Sequence, residues 1–330
     1  MEVRRWIFLV LLLPIMSWAD FKAQDPELTN YTYPFKVSFK EIKNNEQILK
    51  MAYMDVNPEK PNGKTVVLLH GKNFSGAYWK QTAEDLLQRG FRVVMPDQIG
   101  FGKSSKPHTF PFTFHYLSEL TQNLLKDLKV EEYFLVGHSM GGMLAIRMAL
   151  MFPKSVTKLL LINPIGLEDW KLSTPYKNVY ENYQNELKSN LQTIKGYQQN
   201  VYYDGVWKPE YDQHIEYLVG WTKHPRYKEV AWNSALTTDM CFTQPVFYER
   251  HLLKMPTLLL IGTRDRTAIG KGWASLEMQK KLGRYDLLGK EFMKPISKGK
   301  LVEIENVGHM PQVEVYPRYI KEVLNFIGVK

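Results

Sequence analysis

The chain has 330 residues, of which 44% are apolar, and it contains a single cysteine, Cys241. This length suits one catalytic domain with a large buried core, and one cysteine excludes any internal disulfide. The formal charge is +9, but the lysines are scattered and neither an RNA-binding motif nor a zinc-ligand spacing occurs, which argues against nucleic acid and metal as partners.

The N-terminus has the pattern of an export signal. Arg4 and Arg5 precede a short apolar run over 6–15, which is followed by a small-x-small site at 17–19. The run is too short to span a membrane comfortably, and no later stretch is long and apolar enough to do so. We therefore expect residues 1–19 to be a cleaved signal peptide and the mature protein to be periplasmic or secreted.

Apolar, β-rich runs alternate with helix-period stretches along the rest of the chain, which predicts a mostly parallel sheet with helices on both faces. The first two runs favour an opening antiparallel pair. The predicted strands are 37–39, 49–56, 65–69, 91–95, 133–136, 158–162, 257–261 and 300–304, eight in all. The predicted helices are 78–88, 114–128, 141–151 and 317–326.

This alternation stops between residues 165 and 250. The segment holds ten of the nineteen tyrosines and four of the eight tryptophans, and it has no strong buried-strand run. We predict that 165–250 is a mainly helical cap, inserted after the sixth strand of a core formed by 20–164 and 251–330. Its aromatic residues are explained either by the cap's own small core or by a pocket that faces the carboxyl ends of the strands.

The strongest local signal is a G-x-S-x-G pentapeptide, Gly137 to Gly141, centred on Ser139. It lies directly after a predicted strand and before a predicted helix, where a sharp turn lifts the serine oxygen above the sheet and tolerates only small neighbours. The helix that follows also directs its positive N-terminus at this point. The sequence therefore predicts that Ser139 is a nucleophile.

A serine hydroxyl needs a base, and the base needs an orienting carboxylate. His309 follows the last predicted strand, and Asp265 follows the strand 257–261, so both lie at carboxyl ends of strands. We predict that they complete a triad with Ser139. The alternative for Asp265 is an ordinary loop aspartate paired with Arg264 or Arg266.

An oxyanion needs two donors that are already in position. The backbone N–H of Met140, directly after the nucleophile, is the first candidate. The second is expected from the loop after the strand 65–69, with the backbone of Lys72 preferred and the backbone or side chain of Asn73 as the alternative. His70 in this loop, and His138 beside the nucleophile, are expected to have structural roles.

The glycines of the segment 97–104 might suggest a phosphate-binding loop. Their spacing matches neither G-x-G-x-x-G nor a P-loop, so we interpret the segment as a structural turn and expect no cofactor.

Taken together, these motifs resemble the α/β-hydrolase superfamily along nearly all of the mature chain. The segments HGKNF, DQIGFGKSS, GHSMGG, GTRD and GHMPQ occur in that family's order. The resemblance is to capped single-domain serine hydrolases, and within them to exported bacterial members of unassigned substrate. It implies the α/β-hydrolase fold, and the chain order Ser139, Asp265, His309 is the family's own.

The resemblance has one departure and one open position. The interval from Asp265 to His309 is longer than usual and contains an extra segment, 281–300. Asn163 ends the sixth strand, where some relatives place the acid, and Asp169 is the nearest substitute there.

A serine nucleophile favours acyl chemistry over the epoxide and haloalkane hydrolysis that relatives perform with a carboxylate. The leading prediction is hydrolysis of small or medium carboxylic esters, lactones or related acyl compounds. The alternatives are a carbon–carbon bond hydrolase or lyase with the same triad, or a non-catalytic sensor of small ligands.

Overall fold

The computed structural model describes residues 21–329. The predicted signal peptide, residues 1–19, lies outside this range. No helix within the described residues is both long and apolar enough to cross a bilayer.

An eight-stranded sheet forms the centre of the molecule, as predicted. Its strands are β1 (Val37–Asn44), β2 (Gln47–Val56), β3 (Thr65–Leu69), β4 (Arg92–Pro96), β5 (Tyr133–His138), β6 (Val156–Ile162), β7 (Thr257–Gly262) and β8 (Gly299–Ile304). Their spatial order is β1-β2-β4-β3-β5-β6-β7-β8. Strand β2 pairs antiparallel with β1 and β4, and every later pairing is parallel. The predicted antiparallel opening and the mostly parallel sheet are both confirmed.

Eleven helices surround this sheet in the described residues. They are α1 (Lys80–Gln88), α2 (Phe114–Asp127), α3 (Met140–Met151), α4 (Val179–Glu186), α5 (Leu191–Val201), α6 (Glu216–Thr222), α7 (Tyr227–Thr243), α8 (Leu276–Lys281), α9 (Tyr285–Met293), α10 (Pro311–Glu314) and α11 (Tyr316–Ile327). The helix predicted over 78–88 is preceded by a 3₁₀ turn, Gly76–Trp79, and begins only at Lys80.

The sheet is buried on both faces because successive side chains of a strand point to opposite sides. In β3, Val66 and Leu68 pack on the face covered by α1 and α11. Val67 and Leu69 pack on the face covered by α2 and α3. The continuous apolar run of this strand is therefore required on both sides, as is typical of parallel sheets.

Between β6 and β7 the chain is helical. This stretch contains α4 to α7 and three 3₁₀ turns, and it has no strand. The helical character predicted for 165–250, called the insertion below, is thus seen directly. The division of the chain into a core and a cap stays a prediction.

The extra segment 281–300 contributes a helix that packs on the sheet. Helix α9 packs against β7 and β8, with Phe292 fully buried and the hydroxyl of Tyr285 donating to the carbonyl of Pro164 at 2.9 Å. A Cβ at Gly289 would lie 2.5 Å from Cδ1 of Ile261, so the helix lies close against the strand. The additional residues therefore lengthen the interval before His309 without interrupting the sheet.

Candidate active site

Ser139 lies at the turn between β5 and α3. Its backbone has φ 56° and ψ −122°, a region that residues with side chains rarely adopt and that costs conformational energy. The side chain is 5% exposed, and Met140 begins the helix immediately after it. Such a strained turn, held by the elements on either side, places Ser139 above the carboxyl ends of the strands.

Two glycines let the turn pack closely enough. A Cβ at Gly137 would collide with the carbonyl of Gly141, and a Cβ at Gly141 would collide with the carbonyl of Leu69 on the neighbouring strand. Small residues are therefore needed around Ser139 because the backbone segments touch there and leave no room for a Cβ atom.

His309 and Asp265 meet at the carboxyl ends of β8 and β7. Nδ1 of His309 lies 2.7 Å from Oδ2 of Asp265, and both side chains are fully buried. The same Oδ2 accepts a hydrogen bond from Nδ2 of Asn163 at 2.7 Å, while Oδ1 accepts two from Thr267, through its backbone N–H and its hydroxyl. Asp265 is therefore held by four hydrogen bonds.

These contacts also favour the ionised form of Asp265. Burial alone would raise the pKa of this carboxyl, but the neighbouring imidazole of His309 and the hydrogen bonds from His309, Thr267 and Asn163 outweigh it, and the net pKa lies below the usual value. A carboxylate in this position fixes the imidazole with its Nδ1–H toward Asp265 and leaves Nε2 as the basic atom.

Nε2 of His309 is buried and makes no hydrogen bond. The Ser139 hydroxyl therefore makes no hydrogen bond to this nitrogen, although the two loops adjoin. The ring of His138, next to Ser139, lies 4.9 Å from the ring of His309. Catalytic hydrogen bonds of this kind are often open in the unliganded state and close with substrate.

The HGKNF loop, residues 70–74, packs against Ser139. A Cβ at Gly71 would lie 3.0 Å from Cβ of Ser139. Beyond it, Nζ of Lys72 donates to the hydroxyl of Ser234 at 2.7 Å and lies 3.5 Å from Oε1 of Glu186. The side chain of Lys72 is thus tied to the insertion, which leaves its backbone as the part that can serve an oxyanion.

Asn73 is tied to the insertion as well. Its Nδ2 donates to the hydroxyl of Tyr202 at 3.0 Å, and its carbonyl accepts from the hydroxyl of Tyr217 at 3.2 Å. The first of these bonds uses one of the two N–H groups of the side-chain amide, which is an alternative oxyanion donor in the sequence-based prediction.

Two further histidines near the site have hydrogen-bonding roles. His138 donates from Nε2 to the carbonyl of His309 at 2.9 Å. Nε2 of His70 accepts from the backbone N–H of Gln98, and its Nδ1 donates to the carbonyl of Gly71. Burial lowers the pKa of both histidines, which keeps them neutral. They connect the loops around Ser139.

A cavity of about 300 Å³ lies between the HGKNF loop and the insertion. Its wall is partly polar and partly apolar, and includes Lys72, Asn73, Ile194, Tyr197, Thr238 and Ile269. The aromatic-rich insertion therefore contributes both to its own packing and to a pocket beside the predicted oxyanion loop.

Among residues 21–329, no group of three or more His, Cys, Asp or Glu side chains is placed to hold a metal ion.

The structure resembles that of a probable hydrolytic enzyme from Pseudomonas aeruginosa PAO1. The two chains are 44% identical with a TM-score of 0.92, and the match covers 94% of this chain and 99% of the other. The chain belongs to the α/β-hydrolase superfamily. The sequence pattern of a family described as alpha/beta hydrolase fold also matches residues 64–185, the part that runs from β3 through the turn at Ser139 into α4. Its membership of this family supports hydrolase activity.

Curated relatives match this α/β-hydrolase over a shorter range. A Yersinia enterocolitica protein, whose name gives carbamate hydrolysis as its inferred activity, is 37% identical over 103 residues, or 31% of this chain and 37% of that protein. A 2-hydroxy-6-oxo-2,4-heptadienoate hydrolase of Pseudomonas putida is 33% identical over 107 residues, or 32% of this chain and 39% of that protein. The chain thus spans under two fifths of the length of these two relatives.

The sequence did not reveal the contact between Asn163 and Asp265. In the sequence, Asn163 is only an uncharged residue at the end of the sixth strand, but in the structure its Nδ2 donates to Asp265 and its Oδ1 accepts from the backbone N–H of Gly262. Its position at the end of a strand beside β7 was the available signal.

Proposed function

We propose that this α/β-hydrolase is a serine hydrolase that cleaves small or medium carboxylic esters, lactones or related acyl compounds through an acyl-enzyme on Ser139. The observation that carries the proposal is the strained serine turn beside a fully buried His309–Asp265 pair. A strained backbone and a buried carboxylate that needs four hydrogen bonds are costly to maintain, and such features cluster at sites where chemistry needs them.

In the first half-reaction, Oγ of Ser139 attacks the substrate carbonyl carbon while Nε2 of His309 takes its proton. Asp265 stabilises the imidazolium through the bond to Nδ1. The tetrahedral intermediate then collapses, and the imidazolium gives the proton to the leaving alcohol oxygen. In a lactone that oxygen stays attached to the acyl chain.

In the second half-reaction, water attacks the acyl-enzyme and His309 takes the water's proton. The collapse of the second intermediate returns that proton to Oγ of Ser139 and releases the acid. Every proton passes through Nε2 of His309, the imidazole nitrogen that Asp265 does not bind.

The oxyanion is assigned to the backbone N–H groups of Met140 and Lys72. Met140 is the first residue of α3, where N–H groups have no partner within the helix and the helix dipole favours negative charge. The close approach of Gly71 to Ser139 supports the next backbone N–H of the HGKNF loop, that of Lys72, as the second donor. Removing one such donor typically costs 10²–10³-fold in kcat.

The cavity beside the HGKNF loop supports this substrate class. A volume of about 300 Å³ is at the lower end for small-molecule sites, and the Lys72–Glu186 pair adds no net charge. Compact neutral acyl compounds therefore fit better than long lipids or charged polymers.

The relative that hydrolyses 2-hydroxy-6-oxo-2,4-heptadienoate favours a second candidate. That substrate has no ester, so its hydrolysis must break a carbon–carbon bond. The same triad would then act on a ketone carbonyl.

A panel of aryl esters, lactones, carbamates and vinylogous diketones, tested on the purified mature chain and on Ser139→Ala, separates these candidates. The proposal expects Ser139-dependent turnover of esters or lactones. Turnover confined to the diketones would favour the second candidate, and tight binding without any turnover would favour a ligand sensor.

We also infer export, which rests on the leader pattern over residues 1–19 alone. N-terminal sequencing of the protein from the producing cell, with fractionation, tests it. A mature start at Asp20 is expected, and an uncleaved chain in the cytoplasm would contradict it.

A further inference from the structure

Tyr202 touches both the loop of the predicted base and the loop of the predicted oxyanion site. It follows α5 in the insertion and is 3% exposed. Its carbonyl accepts a hydrogen bond from the backbone N–H of His309 at 3.3 Å. A Cβ at Gly308 would collide with this same carbonyl, so the glycine permits the contact.

The ring of Tyr202 stacks on the imidazole of His309. The ring centroids are 4.5 Å apart and the planes are inclined by 29°. An aromatic face within about 6 Å attracts a cation, and more strongly where water is excluded. Since His309 is fully buried, water cannot solvate its face when the ring becomes charged.

The phenol oxygen of Tyr202 reaches the other loop. It accepts the hydrogen bond from Nδ2 of Asn73, one residue beyond Lys72. Burial raises the pKa of the Tyr202 phenol well above its usual value, so the hydroxyl stays neutral. One side chain thus connects His309 with the HGKNF loop.

We propose that Tyr202 is a positioning residue for the hydrolytic reaction: its ring stabilises the imidazolium of His309, and its hydroxyl holds the HGKNF loop at Ser139. This inference rests on the proposed function. It gives the insertion a part in the chemistry besides shaping the pocket.

The other groups around His309 do not replace this contact. Asp265 binds the Nδ1 edge. His138, at 4.9 Å between rings, is kept neutral because burial lowers its pKa. Glu314 accepts from the backbone N–H of Gly308 at 2.8 Å and pairs with Arg264. Among residues 21–329, only Tyr202 stacks a phenol ring on the imidazole of His309.

The test uses the rate at which a fluorophosphonate probe labels Ser139, measured against pH, because this readout needs no known substrate. Labelling requires His309 as a free base, so the rate falls on the acidic side as His309 becomes protonated. If Tyr202 stabilises the imidazolium, Tyr202→Leu should move this acidic limb to lower pH by about 0.4–1.5 units. Tyr202→Phe keeps the aromatic face and should leave the limb in place.

The matched control is Tyr203→Leu. Tyr203 is the adjacent residue, is equally buried, and stacks on Tyr211 at 3.9 Å rather than on His309. Its substitution should leave the limb unmoved. A limb that stays in place in Tyr202→Leu, or that moves to higher pH because water enters, overturns the proposal. So does an equal shift in Tyr203→Leu.

If Tyr202→Leu does not fold, a second comparison tests the ring: residue 202 is replaced by phenylalanine and by trifluorophenylalanine. The two rings have nearly the same shape, but fluorine weakens the negative face. The acidic limb should shift downward on fluorination alone, and identical limbs would refute the role of the ring.

The hydroxyl is tested by a double-mutant cycle of Tyr202→Phe and Asn73→Ala. Loss of one neutral hydrogen bond should slow labelling at its plateau by about 2–12-fold in Tyr202→Phe. Asn73→Ala should then add no further loss, whereas full additivity would contradict the link. Wild-type protein that is not labelled at Ser139 at all would instead refute the proposed function.

Discussion

His309 and Asp265 form a fully buried pair in which Nδ1 of the imidazole lies 2.7 Å from Oδ2 of the carboxylate. The pair joins the loops after β8 and β7, which are 44 residues apart in the chain. Because each carboxylate oxygen also accepts hydrogen bonds from Asn163 or Thr267, the orientation of the imidazole is determined by a network and not by a single contact.

The first prediction concerns Asp265→Asn. The amide cannot stabilise the imidazolium and favours the wrong tautomer of His309, so kcat should fall by up to about 10⁴-fold. The new NH₂ group must also face donors from Thr267 or from Asn163 and His309. We therefore expect a folded protein that is about 1–3 kcal/mol less stable, measured by kcat on an aryl ester and by chemical denaturation.

Asp169→Asn and Asp286→Asn are the matched controls. Asp169 accepts hydrogen bonds from Lys171 and Tyr248, and Asp286 pairs with Arg284 and Arg266. Neither set of contacts includes His309, so kcat should stay close to wild type in both. If kcat fell sharply in Asp169→Asn and stayed near wild type in Asp265→Asn, the acid of the triad would lie after β6.

The second prediction concerns Ser139→Ala. Labelling by a fluorophosphonate and hydrolysis of esters should both disappear, since the proposed mechanism needs the hydroxyl of Ser139 with His309 as its base. The free energy of unfolding should change little, because alanine and serine are strained to a similar extent at a φ of 56°. In addition, the substitution removes no hydrogen bond to Nε2 of His309. Mass spectrometry and a thermal melt provide the measurements.

Ser189→Ala is the control, since Ser189 borders the cavity but not the nucleophile turn. It should keep full labelling. Labelling of Ser139→Ala at any other serine would remove Ser139 from the assignment.

The strands of the sheet and the positions of the candidate site residues could largely be predicted, because they depend on local sequence patterns. The eight strands are apolar runs, and the turn at Ser139 is a strand, a single connecting residue and a helix in immediate succession. Asp265 and His309 were located by the strands that precede them. Chain order and strand ends suffice for such positions, because the carboxyl ends of parallel strands meet at one edge.

The contacts of Asn163 and Tyr202 were not predictable, because they depend on how distant elements lie against each other. The pairing of Ile162 with Leu260 places Asn163 beside the end of β7, and no local pattern reveals that register. Tyr202 is one of ten tyrosines in the insertion, and composition cannot tell which of them faces the imidazole.

The third prediction concerns pH and His214. Burial lowers the pKa of His214 to about 4. In the unfolded chain a histidine takes up its proton near pH 6.5. Between these values the unfolded state binds more protons than the folded state, so the free energy of unfolding falls as the pH is lowered from about 6.5 to 4. His214→Phe removes this contribution, and its Tm should decline less steeply over the same window.

The ring of His214 packs edge-on to Phe74 at 6.5 Å, a contact that phenylalanine can keep. His251→Gln is the control, because His251 is exposed. Its Tm should follow the wild-type curve. Parallel curves for wild type and His214→Phe would show that His214 is charged in the folded protein.

The fourth prediction concerns the acyl chain that the cavity accepts. Ile194 lines the cavity of about 300 Å³ from α5, so Ile194→Trp should narrow it and Ile194→Ala should enlarge it. A misfit of one methylene in an apolar pocket changes kcat/KM by about 10–200-fold. Across aryl esters from acetyl to dodecanoyl, the optimal acyl chain length should therefore shift to shorter chains in Ile194→Trp and to longer chains in Ile194→Ala.

Leu187→Ala is the control, because Leu187 is an exposed residue of the insertion outside the cavity wall. It should keep the wild-type optimum. Soluble short esters should remain better substrates than emulsified triglycerides throughout. The same optimum in all four proteins, or a jump in rate at a lipid–water interface, would mean that the acyl chain binds elsewhere.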